Sequence, residues 1–354
     1  MNRLNQTIQS IHPIDIDFML KASEHLDNQA RPNGSLGKIE YMASRLAGIF
    51  QKMDIRLTHK MIIVCAGDHG ICEEAVSRFP SDVTPQMVMN FIQGGASINV
   101  LAKDAGASVR VADLGVNYTF DKNLPLFHKK IANGTQNFAK VPAMTREQAI
   151  ASIEAGIEIV EELYQAQPIH VLGTGDMGIG NTTPSTAIIA CYSEYPVRDL
   201  TGKGTGIDAQ GFNRKVQVIE AALKSHQPDP SDPIDVLHKV GGFEIGGLCG
   251  LVLGAARHRI PVICDGLIST AGALLAVELC GTAKDYLFAS HQSVEIGHKF
   301  MLSHLQLDPV LDLDFRLGEG TGAAIGMKIM DAATRVLAEI KTFDEVGIAD
   351  AQKP

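Results

Sequence analysis

The sequence predicts an α/β fold with three layers, in which helices cover both faces of a mostly parallel β-sheet. Short apolar runs such as "MIIVCAG" (61–67) alternate with amphipathic segments, and strands buried on both faces of a parallel sheet have this continuous apolar character. Hydrophobic residues make up 45% of the 354 residues, which is enough for a large core. Helical patterns dominate both chain ends, which predicts a separate, smaller helical subdomain there.

The predicted elements follow one another in a regular alternation. The first 60 residues contain two helical segments, 14–30 and 37–53, whose apolar residues recur every three or four positions. A buried strand follows, and strands and helices then alternate to the end of the chain. The predicted strands lie within 59–67, 108–116, 168–173, 260–266 and 286–291, and the predicted helices within 84–95, 96–106, 145–166, 184–192, 211–223, 246–258, 269–280 and 321–340.

Two helix starts carry recognisable capping residues. Thr84 is a natural N-cap for a helix whose first residue is Pro85, because proline is tolerated in the first turn. Thr145 and Gln148 have the spacing of a capping box. Both starts lie in loops that follow predicted strands.

Polar, glycine-containing loops follow the predicted strands at the end where ligands bind in open α/β sheets. Because the carboxyl ends of parallel strands meet at one edge of the sheet, these loops are expected to form the functional site together. They follow Cys65, Asp113, Leu172, Cys264 and Ala289.

The stretch "GTGDMGIGNTTPST" (173–186) begins with the Gly-x-Gly-x-x-Gly spacing of dinucleotide-binding turns, so an NAD-dependent dehydrogenase is one alternative. Pro184 argues for a later helix start, with Thr182 or Thr183 as N-cap, because proline is excluded from helix interiors. The loop 173–181 is then either a phosphate site or an ordinary glycine turn. The candidate phosphate-binding residues are Gly175, Gly178, Gly180, Asn181, Thr182 and Thr183, whereas Asp176 either holds ribose hydroxyls or is simply solvated.

Three charged residues in other glycine-rich segments have two interpretations each. Glu319, between glycines in "LGEGTGAA" (317–324), is either a helix cap or a carboxylate that approaches a ligand and acts as a base. Lys203 and Lys239 are either counter-charges for a phosphate or solvent-exposed lysines.

Acidic residues and histidines at strand ends do not predict a metal site. Asp68 and His69 are neighbours on an extended segment, so their side chains point to opposite sides, and no other histidine completes a metal-ligand spacing. His291 is expected to be a hydrogen-bonded structural residue. Asp265 either orients a substrate or caps a turn.

Composition argues against several classes of function. The formal net charge of −9 disfavours a surface that binds nucleic acid or an anionic membrane. The apolar stretch "GLCGLVLGAA" (247–256) is too short to span a bilayer, and "MNRLNQTIQSIHPID" lacks the apolar region of a secretory signal. The six cysteines contain no C-x-x-C pair, which is typical of reduced thiols in a cytoplasmic protein.

Several longer motifs occur along nearly the whole chain, and their order is informative. They are "GSLG" (34–37), "DHG" (68–70), "VTPQMV" (83–88), "GGASINVLA" (94–102), "GIGNTTPS" (178–185), "GTGID" (204–208), "KVGGFEIGG" (239–247), "DGLIS" (265–269) and "RLGEGTGAA" (316–324). Together they resemble the nicotinate-nucleotide:5,6-dimethylbenzimidazole phosphoribosyltransferases.

The resemblance implies a pentosyltransferase. Such an enzyme transfers the 5-phosphoribosyl group of nicotinate mononucleotide to an aromatic base, with inversion, and the α-riboside 5′-phosphate serves the assembly of the cobamide (vitamin B12) nucleotide loop. It implies that Glu319 is the general base and that no metal or organic cofactor takes part. The nucleotide-binding residues that it implies are those of the 175–183 segment, with Gly202, Lys203, Lys239, Asp265 and Ser290.

The resemblance also implies an architecture. A Rossmann-like large domain would comprise residues 60–300, and a small helical subdomain would comprise residues 1–59 and 301–354. The catalytic loop 316–322 would lie at their junction, and the enzyme would be a dimer.

Two departures from the family pattern concern the substrates. Many relatives have Glu at the position of Asp176, whose side chain is one methylene shorter.

The implied acceptor-binding residues are Phe79, Gln86, Met87 and Leu317, and Phe79 and Met87 are apolar where some relatives have Ser and Gln. An apolar pocket suits a phenol ring, so one alternative is a phenol- or p-cresol-specific heterodimer of two paralogues. A non-catalytic paralogue subunit is another alternative.

Overall fold

A central sheet of six parallel strands organises residues 2–204 and 206–349, the part of the chain that the computed structural model describes. Its strands are β1 (Lys60–Gly67), β2 (Ala107–Gly115), β3 (Phe127–His128), β4 (Val171–Met177), β5 (Val262–Cys264) and β6 (Leu287–Ala289), and a short parallel pair comprises β7 (His291–Gln292) and β8 (Leu311–Asp312). The spatial order is β3-β2-β1-β4-β5-β6. The predicted parallel α/β sheet is confirmed, and its order reverses between β1 and β4, where such folds bind ligands.

The helices lie between the strands and at both chain ends. They are α1 (Arg3–Gln9), α2 (Ile16–Asp27), α3 (Lys38–Phe50), α4 (Val83–Gln93), α5 (Ser97–Asp104), α6 (Arg146–Ala166), α7 (Thr182–Cys191), α8 (Val197–Leu200), α9 (Ala209–His226), α10 (Pro233–Val240), α11 (Phe243–Arg257), α12 (Leu267–Leu279), α13 (Ile296–Leu305), α14 (Thr321–Glu339) and α15 (Phe343–Val346), with 3-10 turns at Gly70–Glu74 and Gly281–Tyr286.

Helices α11 and α14 cover the two faces of the sheet. The glycine-rich α11 packs closely on β1 and β2, where a Cβ atom at Gly247 would lie 3.0 Å from Leu114. On the other face α14 packs on β4 and β5, and a Cβ atom at Gly173 would lie 2.9 Å from Met327. Small residues on both faces therefore bring the helices close to the strands, as the three-layer prediction requires.

The two chain ends meet beside α14. Helix α3 packs against both α2 and α14, and Gln29 pairs with Thr342 in an antiparallel bridge. The buried residues of these helices, including Leu46 and Leu337, join the same hydrophobic cluster as Ile62 of β1. The division into a large domain and a small subdomain stays a prediction.

Of the two helix caps predicted after strands, one is wrong and one is confirmed. Helix α4 begins at Val83 after Asp82, and the Thr84 hydroxyl instead accepts a hydrogen bond from the Ile179 amide at 3.2 Å. The box of Thr145 and Gln148 forms as predicted, with reciprocal bonds of 2.9 and 3.2 Å.

The stretch 173–186 also differs from its prediction. Strand β4 extends to Met177, so residues 173–177 belong to the strand and only 178–181 form a loop. Helix α7 starts at Thr182 with Asn181, and not a threonine, in the capping position. This start places Pro184 in the first turn, where proline is tolerated.

Among the described residues, no helix is long and apolar enough to cross a membrane.

Candidate active site

A cavity of about 680 Å³ opens at the carboxyl ends of β4, β5 and β6. Its walls combine apolar side chains with acidic and hydroxyl groups from loops that are distant in sequence. The lining residues are Phe79, Ser97, Leu101, Asp176, Asn181, Thr182, Gly204, Gly266, Leu267, Ile268, His291, Ser293, Glu295, Asp314, Phe315, Arg316, Leu317, Gly318 and Thr321. The cavity therefore lies where the sequence predicted the functional loops to meet.

Glu319 lies in an unusual backbone conformation beside this cavity. Gly318, Glu319 and Gly320 all have positive φ angles, of 83°, 65° and 93°. For a residue with a side chain this left-handed conformation costs about 1–2 kcal/mol, and strained conformations of this kind cluster at functional sites. Gly318 and Thr321, on either side of Glu319, line the cavity.

Asp265, at the end of β5, holds this loop by accepting two backbone hydrogen bonds. The Gly320 amide donates to one carboxylate oxygen at 2.8 Å, and the Gly322 amide donates to the other at 2.7 Å. Burial raises the pKa of Asp265 to about 7, although these two amides oppose the shift. Of the two interpretations of Asp265, the structure supports the one in which it caps a turn.

The Glu319 side chain is buried and accepts one hydrogen bond. Its Oε2 atom accepts from the Ile98 amide at 3.2 Å, and only 6% of the residue is exposed. Burial raises the pKa of Glu319 above its ordinary value, and the bond from Ile98 opposes this shift. A carboxylate with a raised pKa has the proton affinity that a general base needs near neutral pH.

Asp176 lies on β4 directly below this loop. One of its oxygens accepts from the Asn181 side chain at 3.0 Å, and the other has no hydrogen-bond partner among the described residues. A Cβ atom at Gly318 would lie 3.2 Å from the carboxylate, so the loop passes closely over it. Burial raises the pKa of Asp176 well above its usual range, and the negative charge of Asp265 adds to the shift.

The first turn of α7 meets a buried lysine that the sequence analysis missed. The Lys215 ammonium donates to the Thr182 hydroxyl at 2.7 Å, and the lysine is fully buried. Burial lowers the pKa of Lys215 to about 8, and the charge of Glu295 opposes this shift. A helix N-terminus beside a lysine is a suitable anion site.

Lys215 had a recognisable signal in the sequence. It shares the apolar face of α9 with Ile219 and Ala222, at positions i+4 and i+7, and all three are buried. A lysine is almost never fully buried without a partner, so a charge on an apolar face indicates a partner within the fold.

The two lysines that were predicted as phosphate counter-charges lie elsewhere. Lys203 is exposed, and it is Gly204 that lines the cavity. Lys239 is not among the lining residues, and its ammonium pairs with Asp235 at 2.8 Å. Gly202 packs closely against the Glu295 carboxylate, where a Cβ atom would lie only 1.8 Å away.

The predicted glycines of the 175–183 segment make close backbone contacts. Gly175 is part of β4 and faces the Glu319 backbone, so the tight turn of a dinucleotide site does not form there. Gly178 packs against the Gly67 carbonyl, and Gly180, with φ of 89°, packs against Cys72. Thr183 is buried, and its hydroxyl has no partner among the described residues.

His291 and Ser290 form a hydrogen-bonded pair at the end of β6. The Ser290 hydroxyl lies 2.9 Å from His291 Nδ1, and the histidine lines the cavity. Burial lowers the pKa of His291 to about 4, and the charge of Asp312 opposes this shift. The imidazole is therefore neutral at physiological pH.

The implied acceptor-binding residues divide into two pairs. Phe79 and Leu317 line the cavity and are half exposed, at 48% and 57%. Gln86 is exposed on α4 and Met87 packs partly buried against the core, and neither is among the lining residues.

Asp68 and His69 point to different partners, as predicted. Asp68 accepts from the Asn117 amide at 2.8 Å, whereas His69 Nε2 lies 2.8 Å from the fully buried Glu244 carboxylate. Neither residue is among those that line the cavity.

The fold and this cavity suit an enzyme that acts on a phosphorylated substrate, because a helix N-terminus with a buried lysine and a buried carboxylate with a raised pKa adjoin one ligand-sized space. The chain matches the model of the phosphoribosyltransferase family over residues 11–348, and it belongs to that family.

The similarity to known proteins extends over almost the whole chain. It is 52% identical over 351 residues to the nicotinate-nucleotide–dimethylbenzimidazole phosphoribosyltransferase of Citrifermentans bemidjiense, covering 99% of this chain and 100% of the relative. It is 51% identical over 350 residues to the protein of the same name from Geobacter sulfurreducens, covering 99% of each. The crystal structure of CobT from Thermus thermophilus superposes with a TM-score of 0.91 at 39% identity, covering 95% of this chain and 100% of that one.

Proposed function

We propose that this phosphoribosyltransferase transfers the 5-phosphoribosyl group of nicotinate mononucleotide to 5,6-dimethylbenzimidazole. The products are nicotinate and an α-riboside 5′-phosphate for cobamide nucleotide-loop assembly. The observation that carries the proposal is the buried Glu319 carboxylate beside the same cavity that Thr182, the partner of Lys215, lines. The names of the relatives support the choice of both substrates.

Glu319 acts as the general base in this proposal. The acceptor nitrogen forms a bond to C1′ of the ribose, the bond from C1′ to the nicotinate ring breaks, and its electrons stay on the pyridine nitrogen. The acceptor loses its N–H proton to the Glu319 carboxylate, whose raised pKa favours this transfer. General-base catalysis of this kind contributes about 10²–10⁴-fold in rate.

The donor phosphate binds at the first turn of α7. Lys215 supplies the positive charge, and the Thr182 hydroxyl supplies a hydrogen bond at the helix N-terminus. Asp176, Asn181 and the Ser290–His291 pair then lie near the ribose side of the cavity. Lys203 and Lys239 have no part in this arrangement.

The acceptor binds against apolar side chains. Phe79, Leu101 and Leu317 line the cavity, and they select an aromatic ring by its shape without a hydrogen-bonding side chain. This observation favours a second candidate function, transfer to phenol or p-cresol, in which the hydroxyl oxygen is the nucleophile.

The enzyme is further proposed to act in the cytoplasm as a dimer, with itself or with a paralogue. Ile16, Leu20 and Tyr41 are 57%, 56% and 61% exposed on the neighbouring helices α2 and α3, and exposed apolar surface of this kind supports association. The described cysteines are all free thiols, which supports a reducing compartment. Light scattering of the wild type and of Leu20→Lys tests the dimer.

Product analysis tests the function. Purified enzyme is incubated with nicotinate mononucleotide and, separately, dimethylbenzimidazole, phenol or p-cresol, and chromatography measures nicotinate and riboside phosphate. A benzimidazole riboside phosphate is expected. Product with a phenolic acceptor alone would establish the second candidate. No transfer to any acceptor, in an enzyme that still binds the nucleotide, would point to a non-catalytic subunit.

A further inference from the structure

Arg316 is a charged residue of the cavity that the reaction described above does not use. It is the only lysine or arginine among the residues that line the cavity within the described chain. Among the described residues it makes no ion pair and no hydrogen bond, and it is exposed. Lys215, the other cation nearby, donates to Thr182 and is assigned to the donor phosphate.

The backbone beside Arg316 is fixed even though its side chain is free. The Phe315 carbonyl accepts hydrogen bonds from the Val294 amide at 3.1 Å and from the Ser293 hydroxyl at 3.0 Å. The Phe315 ring also packs edge-on against His291, with ring centroids 5.5 Å apart. Because the backbone is anchored, binding a ligand has to order only the arginine side chain.

The surroundings of Arg316 suit an aromatic anion. Leu267, Ile268 and Leu317 give the cavity apolar walls against which a flat ring can pack. Asp314 and Glu295 also line the cavity. Without Arg316, the negative potential of these two carboxylates would repel a carboxylate on the ligand and attract a positively charged ring.

The proposed donor carries two anionic groups, and only one has a partner so far. Its phosphate is provided for by Lys215 and α7, whereas the carboxylate on its nicotinate ring has none. Resting on the proposed function, we propose that Arg316 binds this carboxylate and makes the enzyme select nicotinate mononucleotide over nicotinamide mononucleotide.

The selectivity has an attractive and a repulsive part. A guanidinium forms a planar, charge-assisted pair with a carboxylate, and a neutral carboxamide cannot replace it. The nicotinamide nucleotide also retains a net positive ring, which the guanidinium repels. The attraction to the carboxylate and the repulsion of the nicotinamide ring both disappear when the charge of Arg316 is removed.

The test compares the two nucleotides in wild-type enzyme, Arg316→Met and Arg316→Lys. We expect Arg316→Met to lose about 10–100-fold in kcat/KM for nicotinate mononucleotide, the usual effect of one charge-assisted hydrogen bond. Most of the loss should be in KM, turnover of nicotinamide mononucleotide should be unchanged or higher, and Arg316→Lys should be intermediate. Arg56→Met is the matched control, because Arg56 is exposed and forms its ion pair with the exposed Asp54.

Two results would overturn the assignment. An equal loss for both nucleotides would place Arg316 against a group that they share, and no change for either would leave it without a role in the donor site. Calorimetric titration of wild type and Arg316→Met with each of the two nucleotides gives the same comparison without turnover. A wild-type enzyme that binds nicotinate mononucleotide through Arg316 but transfers nothing would refute the proposed function and not this inference.

Discussion

Gly175 on β4 lies against the main chain of Glu319. A Cβ atom at Gly175 would lie 2.5 Å from the Glu319 carbonyl oxygen and 2.9 Å from the Gly320 nitrogen. Strand β4 can therefore pack directly against the loop that carries Glu319 only because residue 175 is a glycine. The glycine of one segment thus sets the position of the candidate base in another.

Gly175→Ala should displace the loop and lower both stability and activity. The new methyl group would meet backbone atoms, which cannot rotate away, so the loop or the strand must shift. We expect the free energy of unfolding to fall by about 1–3 kcal/mol, as overpacked cores do, and kcat to fall more than KM changes. Urea denaturation and steady-state kinetics measure these effects.

Gly281→Ala is the control for this variant. A Cβ atom at Gly281 would meet nothing within 4 Å, so this variant should keep its activity and its stability. Equal behaviour of the two variants would show that the contact with Glu319 has no consequence.

Glu319→Gln should abolish most of the turnover and leave donor binding intact. The amide cannot accept the acceptor's proton, and it keeps the size of the carboxyl group. We expect kcat to fall by about 10²–10⁴-fold. Calorimetry should find the affinity for nicotinate mononucleotide little changed. The control is Glu339→Gln, at an exposed position near the end of α14, and a kcat for Glu319→Gln equal to that of the control would exclude the base role.

The fold followed from the sequence because its pattern is local and repeated. Apolar runs of strand length alternate with amphipathic helices, and the resulting parallel sheet has the predicted layers. Glu319 was recognised as a candidate because glycines on both sides allow a close approach to a ligand, and the resemblance then implied the base role. The left-handed backbone at Glu319, with φ of 65°, was not predicted.

The details of the phosphate side did not follow from the sequence. "GTGDMG" matches the glycine motif of a dinucleotide turn, yet Gly173 and Gly175 are strand residues that make room for α14 and for the Glu319 loop. The motif alone does not show whether a glycine is needed for a turn or for the close approach of another segment. Lys203 and Lys239 were chosen because glycine-rich segments suggest phosphate binding, and Lys215, whose full burial depends on tertiary packing, was not considered.

Asp265→Asn should loosen the loop that carries Glu319. Asparagine has one carbonyl oxygen, so either the Gly320 or the Gly322 amide loses its acceptor. An unpaired buried amide costs about 1–3 kcal/mol, and a mobile loop lowers kcat more than it affects phosphate binding. Thermal unfolding and kinetics should show both effects, and the exposed Asp54→Asn should show neither. Unchanged kcat would mean that the Glu319 conformation does not depend on Asp265.

Lys215 should make donor binding depend on pH. Burial lowers its pKa from an ordinary value of 10.5 to about 8, so the free enzyme carries this charge below pH 8 and loses it above. The second ionisation of a phosphate monoester is near pH 6, so the donor's charge is constant from about pH 7 to 9.5. Within this range we expect the effect of Lys215 to leave kcat/KM for nicotinate mononucleotide unchanged up to about pH 8, and then to lower it by up to tenfold per pH unit.

Lys215→Met separates this ionisation from others, since the side chain keeps its length and loses its charge. The variant should have a kcat/KM lower by about 10–100-fold at pH 7, in line with one charge-assisted hydrogen bond, and it should show no further fall near pH 8. Lys224→Met, on the exposed side of the same helix, should retain the wild-type profile. If Lys215→Met kept the decline above pH 8, another group would be responsible, and the assignment of Lys215 to the phosphate would be wrong.

Because the unfolded chain holds this proton up to about pH 10.5, the lysine's contribution to the free energy of unfolding should rise between pH 8 and 10.5, and the methionine variant should lack that rise.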